Sequence, residues 1–256
     1  MKLDLEKAFV YIFKDPSWTN KLIAGAGIVT IMYLFSLLPV FVYIVSMSIP
    51  LMTISLFLSF VVIFFLNCAV SGFVAETANK RINYRNSILP DWSKFGRLSL
   101  SGLKYFIGYF LYSVPVLILV VLFLVLLTFY LGQGLGIAGF NNTFVFMLMV
   151  LLGAIFLFSM VLYSIFFPLM MVSFYKDLKI ISFVDFKSAF TLLKNNHSNY
   201  FVVILLFIAF NILFQIICSF LVVTILGAVL IPFLYFYMYL VVAEVLAQFI
   251  LVARED

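Results

Sequence analysis

Apolar residues fall in six long runs along the chain, at about 22–45, 49–74, 103–131, 143–175, 200–222 and 226–252. Each is at least as long as the roughly 20 residues that a helix needs to cross a bilayer. Helices are expected because each one satisfies its own backbone hydrogen bonds in lipid. Three of the breaks between runs are short and uncharged. Ser46-Met47-Ser48-Ile49-Pro50 is one, and Pro50 suits the first turn of a helix, where its missing N–H costs little. A glycine-rich break from Gly132 to Gly139, ended by Asn141-Asn142, is the second, and the join near 223–225 is the third. The two other breaks, at about 75–101 and 176–199, are long and polar. The pattern predicts an all-α membrane protein of one domain, with six transmembrane helices arranged as three helical hairpins. The fourth run exceeds the bilayer's need, so it should tilt or kink, with Pro168 the expected kink.

Charge gives this pattern an orientation. Of the 15 Lys and Arg residues, four precede the first run, six lie between runs two and three, four lie between runs four and five, and Arg254 follows the sixth. The three short breaks carry none. The positive-inside rule then expects a multi-pass protein of the cell membrane with both termini and both long loops in the cytoplasm. Composition agrees: 66% of residues are hydrophobic and 10% charged, against about 45–50% and 25% in soluble domains. The net charge of +5 suits anionic lipid headgroups as partners. Nucleic acid is not expected, because no solvated basic reader module is present. The short loops leave no room for an extracytoplasmic receptor domain. Cys68 and Cys218 lie inside apolar runs, away from His or Cys at ligand spacing, so no disulfide, metal or cofactor is expected. Lys2, Asp4, Glu6, Lys7, Lys14, Asp15 and Lys21 crowd the first 21 residues, so the first run starts too late for a cleaved signal.

A similar segment precedes each pair of runs: Phe9 to Trp18, Leu89 to Leu98, and Phe183 to Phe190. Each sets an Asp near an aromatic residue and a Lys. Such a mixture predicts a short amphipathic helix lying in the membrane interface, with Trp18, Trp92 and Phe186 as interfacial anchors. A docking surface for a protein partner is the alternative use of the same segments.

These pieces also carry a resemblance. Ala8-Phe9 through Phe13-Lys14-Asp15-Pro16-Ser17-Trp18, the loop Leu89-Pro90-Asp91-Trp92-Ser93-Lys94-Phe95 with Gly102-Leu103-Lys104, and Val114-Pro115 contribute to it. So do the segment from Phe186 to Tyr200 and the turn Ile225-Leu226-Gly227. Together they resemble the bacterial and archaeal domain-of-unknown-function family 4013, over most of the chain. The Pro-Asp-Trp loop followed by Gly-Leu-Lys is the most specific part. The resemblance implies an integral membrane protein and transfers no activity or catalytic residue. Similar hairpins accompany the membrane domain of some glycerophosphodiesterases, an analogy of fold alone.

Polar residues inside the spans are the candidate functional groups. Glu244 is the one acid within a run, and Gln248 shares its helical face four residues on. Ten residues separate Glu244 from Arg254, about 15 Å of helix, so Glu244 should sit near the cytoplasmic headgroups and hydrogen-bond a neighbouring helix. Asn67 lies in the second run, and Asn211 and Gln215, again four apart, in the fifth. Amides in spans act first as glue between helices. His197, the single histidine, stands in a polar turn without partners for metal or catalysis. The glycines of 132–139 follow no strand, so no nucleotide fingerprint is present. The first expectation is a non-enzymatic structural or accessory subunit of a membrane assembly. The alternative is a small transporter or channel for a small or hydrophobic solute, using Asn67, Asn211, Gln215 and Glu244. A lipid-modifying enzyme is third, since hydrolysis calls for acids and His clustered at one depth.

Overall fold

A computed structural model describes residues 4–85, 88–134 and 142–255. Its elements are α1 (Leu5–Val10), α2 (Trp18–Ser46), α3 (Ile49–Tyr84), α4 (Phe95–Gly134), α5 (Asn142–Asp177), α6 (Phe186–Asn195), α7 (His197–Val222) and α8 (Ile225–Glu255). Single 3-10 turns occupy Tyr11–Lys14, Trp92–Lys94 and Ile180–Phe183. Among the described residues six helices, all but α1 and α6, are long and apolar enough to cross a membrane. This is the architecture of a multi-pass membrane protein, and it follows from a solvent that cannot hydrogen-bond a backbone. The glycine-rich break expected from Gly132 to Asn142 falls largely on 135–141, outside the described residues.

α3 and α4 run past the apolar stretches into polar ends whose side chains find partners. α3 continues through Glu76, Asn79 and Arg81 to Tyr84, and α4 begins at Phe95. Pro39, Pro115, Pro168 and Pro232 each lie inside a helix that carries on beyond them. Three helices close on a left-handed residue other than glycine: Met47 after α2, Arg85 after α3 and Leu178 after α5. The amide of each returns to the carbonyl four residues back, at 2.8, 3.2 and 2.7 Å, which satisfies one orphan carbonyl per helix end.

α3 is the central helix and packs on α2, α4, α5 and α8. Its crossing with α4 is set by two glycines. A Cβ added to Gly72 would lie 1.8 Å from the Leu98 carbonyl oxygen, and one added to Gly102 would lie 1.7 Å from that of Cys68. Only hydrogen allows the two backbones to approach so closely, as is usual where lipid gives helices no hydrophobic reason to associate. Buried side chains gather at the end of the bundle that carries the charges. They come from Cys68 to Ala78 of α3, Leu169 to Tyr175 of α5 and Leu240 to Val252 of α8. At the opposite end Leu37, Phe41, Phe57, Leu124 and Phe146 are exposed. The total exposed area is 15097 Å², whereas a soluble monomer of this mass would expose about 11,500 Å². A larger exposed area fits long apolar helices whose surroundings are lipid.

Candidate functional site

At the charged end, helix termini from distant parts of the chain are tied together. Glu244 of α8 is 1% exposed, and its Oε1 accepts from Arg81 Nε at 3.0 Å and from Gln248 Nε2 at 3.2 Å. Gln248 in turn holds the chain's start: its Oε1 accepts from the Asp4 amide at 2.9 Å, and its Nε2 donates to the Asp4 carbonyl at 3.2 Å. Glu76 pairs with Arg97 at 3.0 Å and accepts from Ser101 Oγ at 3.1 Å. Asn79 Nδ2 donates to the Tyr175 and Lys176 carbonyls, both at 2.8 Å, and so covers the last turn of α5. Glu244 and Gln248 therefore share one clasp between α3, α8 and the N-terminal segment. The expected hydrogen bond from Glu244 to a neighbouring helix is present, and Arg81, one of the six cations between runs two and three, is its donor. A carboxylate buried at the edge of a span needs such a partner, since an unpaired one would cost several kcal/mol.

A second clasp centres on Asp15, also 1% exposed. Its carboxylate accepts from Ser17 N and Ser17 Oγ at 2.8 Å, Lys21 Nζ at 2.8 Å and Leu89 N at 2.7 Å. Burial works against the ionised carboxylate, but Lys21, Ser17 and the Leu89 amide outweigh it and hold the group below its usual range. The threefold sequence pattern thus has a local cause: each Asp binds a nearby Ser. Asp91 accepts from Ser93 N at 2.9 Å, and Asp185 from Ser188 N at 3.1 Å and Ser188 Oγ at 2.6 Å. The legible signal was Asp with Ser two or three residues on, a helix-start signature, rather than Asp with an aromatic.

The three aromatic positions differ from one another. Trp92 is half-buried, stacks on Phe73 at 4.4 Å and donates its indole N–H to the Lys21 carbonyl at 3.0 Å. Trp18 meets Phe13 edge-on at 4.8 Å. Phe186 remains exposed at the start of α6, with its ring 6.0 Å from that of Tyr112.

The amides in the spans converge elsewhere. A cleft of about 600 Å³ opens between α3, α4, α5, α7 and α8, and Asn67, Asn211 and Gln215 all line it. Two lie on α7 and one on α3, helices that scarcely touch. Aromatic residues supply most of the remaining wall, including Tyr105 and Tyr109 of α4 and Tyr235 and Tyr239 of α8. Asn67 Oδ1 accepts from Ser71 at 3.4 Å and Asn211 Nδ2 donates to the Phe207 carbonyl at 2.8 Å, both within one helix. The Gln215 side chain has no hydrogen-bond partner among the described residues. Free amide groups in an apolar slab cost a few kcal/mol each unless something polar meets them. Glu244 does not line this cleft, so the five candidate polar residues divide into a cleft of three and a clasp of two. The amides do not bond one another across helices, which is the difference from simple glue. Among the described residues no group of three or more His, Cys, Asp or Glu is assembled.

The family model described as Protein of unknown function (DUF4013) matches residues 55–223. The chain belongs to this family. The match spans about two thirds of the chain, from early in α3 to the end of α7. It takes in the Pro-Asp-Trp loop, Gly102-Leu103-Lys104 and all three amides of the cleft. The segment from Ala8 to Trp18 and the turn at 225–227 fall outside it, as do Glu244 and Gln248. Neither a curated protein nor a solved structure matches the chain.

Proposed function

We propose that this protein is a small carrier or channel that admits an amphipathic solute to an aromatic, amide-lined cleft within the membrane. The observation that carries this reading is the convergence of Asn67 with Asn211 and Gln215, from two helices, on one cavity with unused hydrogen-bonding groups. Tyrosine rings favour an apolar body, and the amides favour a neutral polar group such as a hydroxyl or amide. The reading reverses the order reached from sequence, where assembly stood first. It includes a non-enzymatic role, since Glu244, the one acid within the six apolar runs, is engaged by Arg81. It also includes a plasma-membrane location with the cation-rich end in the cytoplasm. The six spans act as three hairpins, α2 with α3, α4 with α5 and α7 with α8. The short helical segments before them lie in the interface, a role supported by α6, which buries Ala189 and exposes Phe186 and Phe190.

The test is water access. After Cys68→Ala and Cys218→Ser, the variant Gln215→Cys in lipid vesicles should react with a membrane-impermeant maleimide. Leu213→Cys, on the same helix, should not. Thiolates form only where water reaches, so an inert Gln215→Cys would end this reading.

The accessory-subunit reading keeps one specific support. α7 packs mainly on α8 and leaves Ile208, Ile212, Ile216 and Phe220, at fourfold spacing, uncovered. Reproducible recovery of one partner with the chain in mild detergent would favour it.

A further inference from the structure

A second cavity, of about 340 Å³, lies at the charged end between the last turn of α5, the Ile180–Phe183 turn, α6 and α8. Its rim carries two cations, Lys176 and Lys187, and two anions, Asp177 and Asp185. Among the described residues none of the four forms an ion pair. Their positions are nonetheless fixed by the backbone. The Lys176 carbonyl is held by Asn79 at 2.8 Å and Asn83 at 3.0 Å, and the Lys187 carbonyl accepts from Thr191 Oγ1 at 2.9 Å. Asp185 is anchored by Ser188.

The wall of this cavity holds the informative atom. Ser173 lines it, is 8% exposed, and its hydroxyl has no hydrogen-bond partner among the described residues. It stands one turn before Lys176 on α5, so its hydroxyl and that ammonium lie on one face of the helix. A buried hydroxyl without a partner costs about 1–3 kcal/mol, a cost removed when a ligand oxygen fills the space. Val172, Leu192 and Ile250 complete the wall with apolar surface.

We propose that this pocket binds the phosphoethanolamine headgroup of a membrane lipid. The phosphate oxygens meet Lys176, Lys187 and the Ser173 hydroxyl, and the primary ammonium meets Asp177 and Asp185. An anionic headgroup alone would leave two carboxylates facing it. A quaternary ammonium offers no N–H to a carboxylate and is usually held by aromatic rings, and none of the described residues lining the pocket is aromatic. The apolar wall suits the glycerol and first acyl carbons, at the depth where α5 and α8 pass from charged to apolar residues. This site is separate from the amide-lined cleft, and neither proposal depends on the other.

The experiment uses the full chain, delipidated in detergent and titrated with dioleoyl phosphatidylethanolamine, phosphatidylcholine or phosphatidylglycerol, with bound lipid read by native mass spectrometry. Phosphatidylethanolamine should bind roughly tenfold more tightly than either of the others, as expected for lost charged hydrogen bonds. Lys187→Ala and Ser173→Ala should each weaken it by a similar factor without lowering the lipid-free melting temperature. Lys187 is exposed, so its variant tests the site even where Ser173→Ala fails to fold. Asp177→Asn should narrow the preference over phosphatidylcholine. Equal binding of the ethanolamine and choline lipids, or indifference to Lys187→Ala, would overturn the proposal. Inorganic phosphate or glycerophosphoethanolamine binding as tightly as the lipid would overturn the lipid source.

Discussion

Gly102→Ala is a one-methyl test of how this bundle is held together. The added carbon would sit 1.7 Å from the Cys68 carbonyl oxygen and 2.6 Å from its carbonyl carbon. A comfortable carbon-to-oxygen contact is about 3.3 Å, so α3 and α4 must part by roughly 1.5 Å at the crossing. Backbone atoms cannot swing aside as a side chain can. A buried patch the size of one leucine makes about 50 atom pairs at ~0.15 kcal/mol, and a gap of 1 Å already forfeits up to half of that. The loss is then about 4 kcal/mol. Alanine recovers up to about 1 kcal/mol through helix propensity, leaving a net destabilisation of about 3 kcal/mol. At roughly 2–4 °C per kcal/mol for a chain of this length, the melting temperature should fall by about 6–12 °C. Thermal unfolding followed by tyrosine and tryptophan fluorescence in detergent measures this. Gly27→Ala is the control, because a Cβ there meets nothing within 4 Å; it should melt at or above the wild-type temperature. Should Gly102→Ala melt within about 2 °C of wild type, the close crossing does not hold α3 to α4 and the reasoning fails. The crossing also bears on the cleft, since Ser71 and Tyr105 lie one to three residues from the touching backbones.

Other outcomes follow from the same contacts. Arg81→Ala leaves Glu244 buried and unpaired and should cost about 3–5 kcal/mol; adding Glu244→Gln should recover part of that, and two additive losses in the melting temperatures would contradict the clasp. Asp15→Asn removes an ionised acceptor of four hydrogen bonds and should cost about 2 kcal/mol at neutral pH. The pH dependence has a definite sign. Asp15 is more acidic in the folded chain than in the unfolded one, where its value is about 3.9. Its stabilisation is therefore complete above that value and fades as pH falls through the lower folded value. Melting curves between neutral pH and pH near 3 should show this acid loss in the wild type and a weaker one in Asp15→Asn. Met47→Gly relieves a left-handed residue at φ 49° and should raise stability by about 1 kcal/mol, read as a melting temperature a few degrees higher. Lys94→Cys and Ser48→Cys should label from opposite faces of sealed vesicles; labelling from the same face would refute an orientation with every cation on one side.

Much of this was written locally in the chain. Six apolar runs, their polar ends and the one-sided cations are properties of consecutive residues, and lipid allows such runs little besides helix. The pairs Glu244 with Gln248 and Asn211 with Gln215 were legible for the same reason, because four-residue spacing alone puts two side chains on one face. Beyond the neighbours joined by short breaks, which helices would meet was not legible. The spans are apolar almost all the way round, and lipid is as apolar as their neighbours, so hydrophobicity marks no inner face. That choice rested on small residues and isolated polar groups at great separations: Gly72 against Gly102, Trp92 over Phe73, and Arg81 reaching Glu244 across 163 residues. Only the packed bundle brings Asn67 to the amides of α7, because a cleft is made by helices that fail to close, and no single segment encodes a gap.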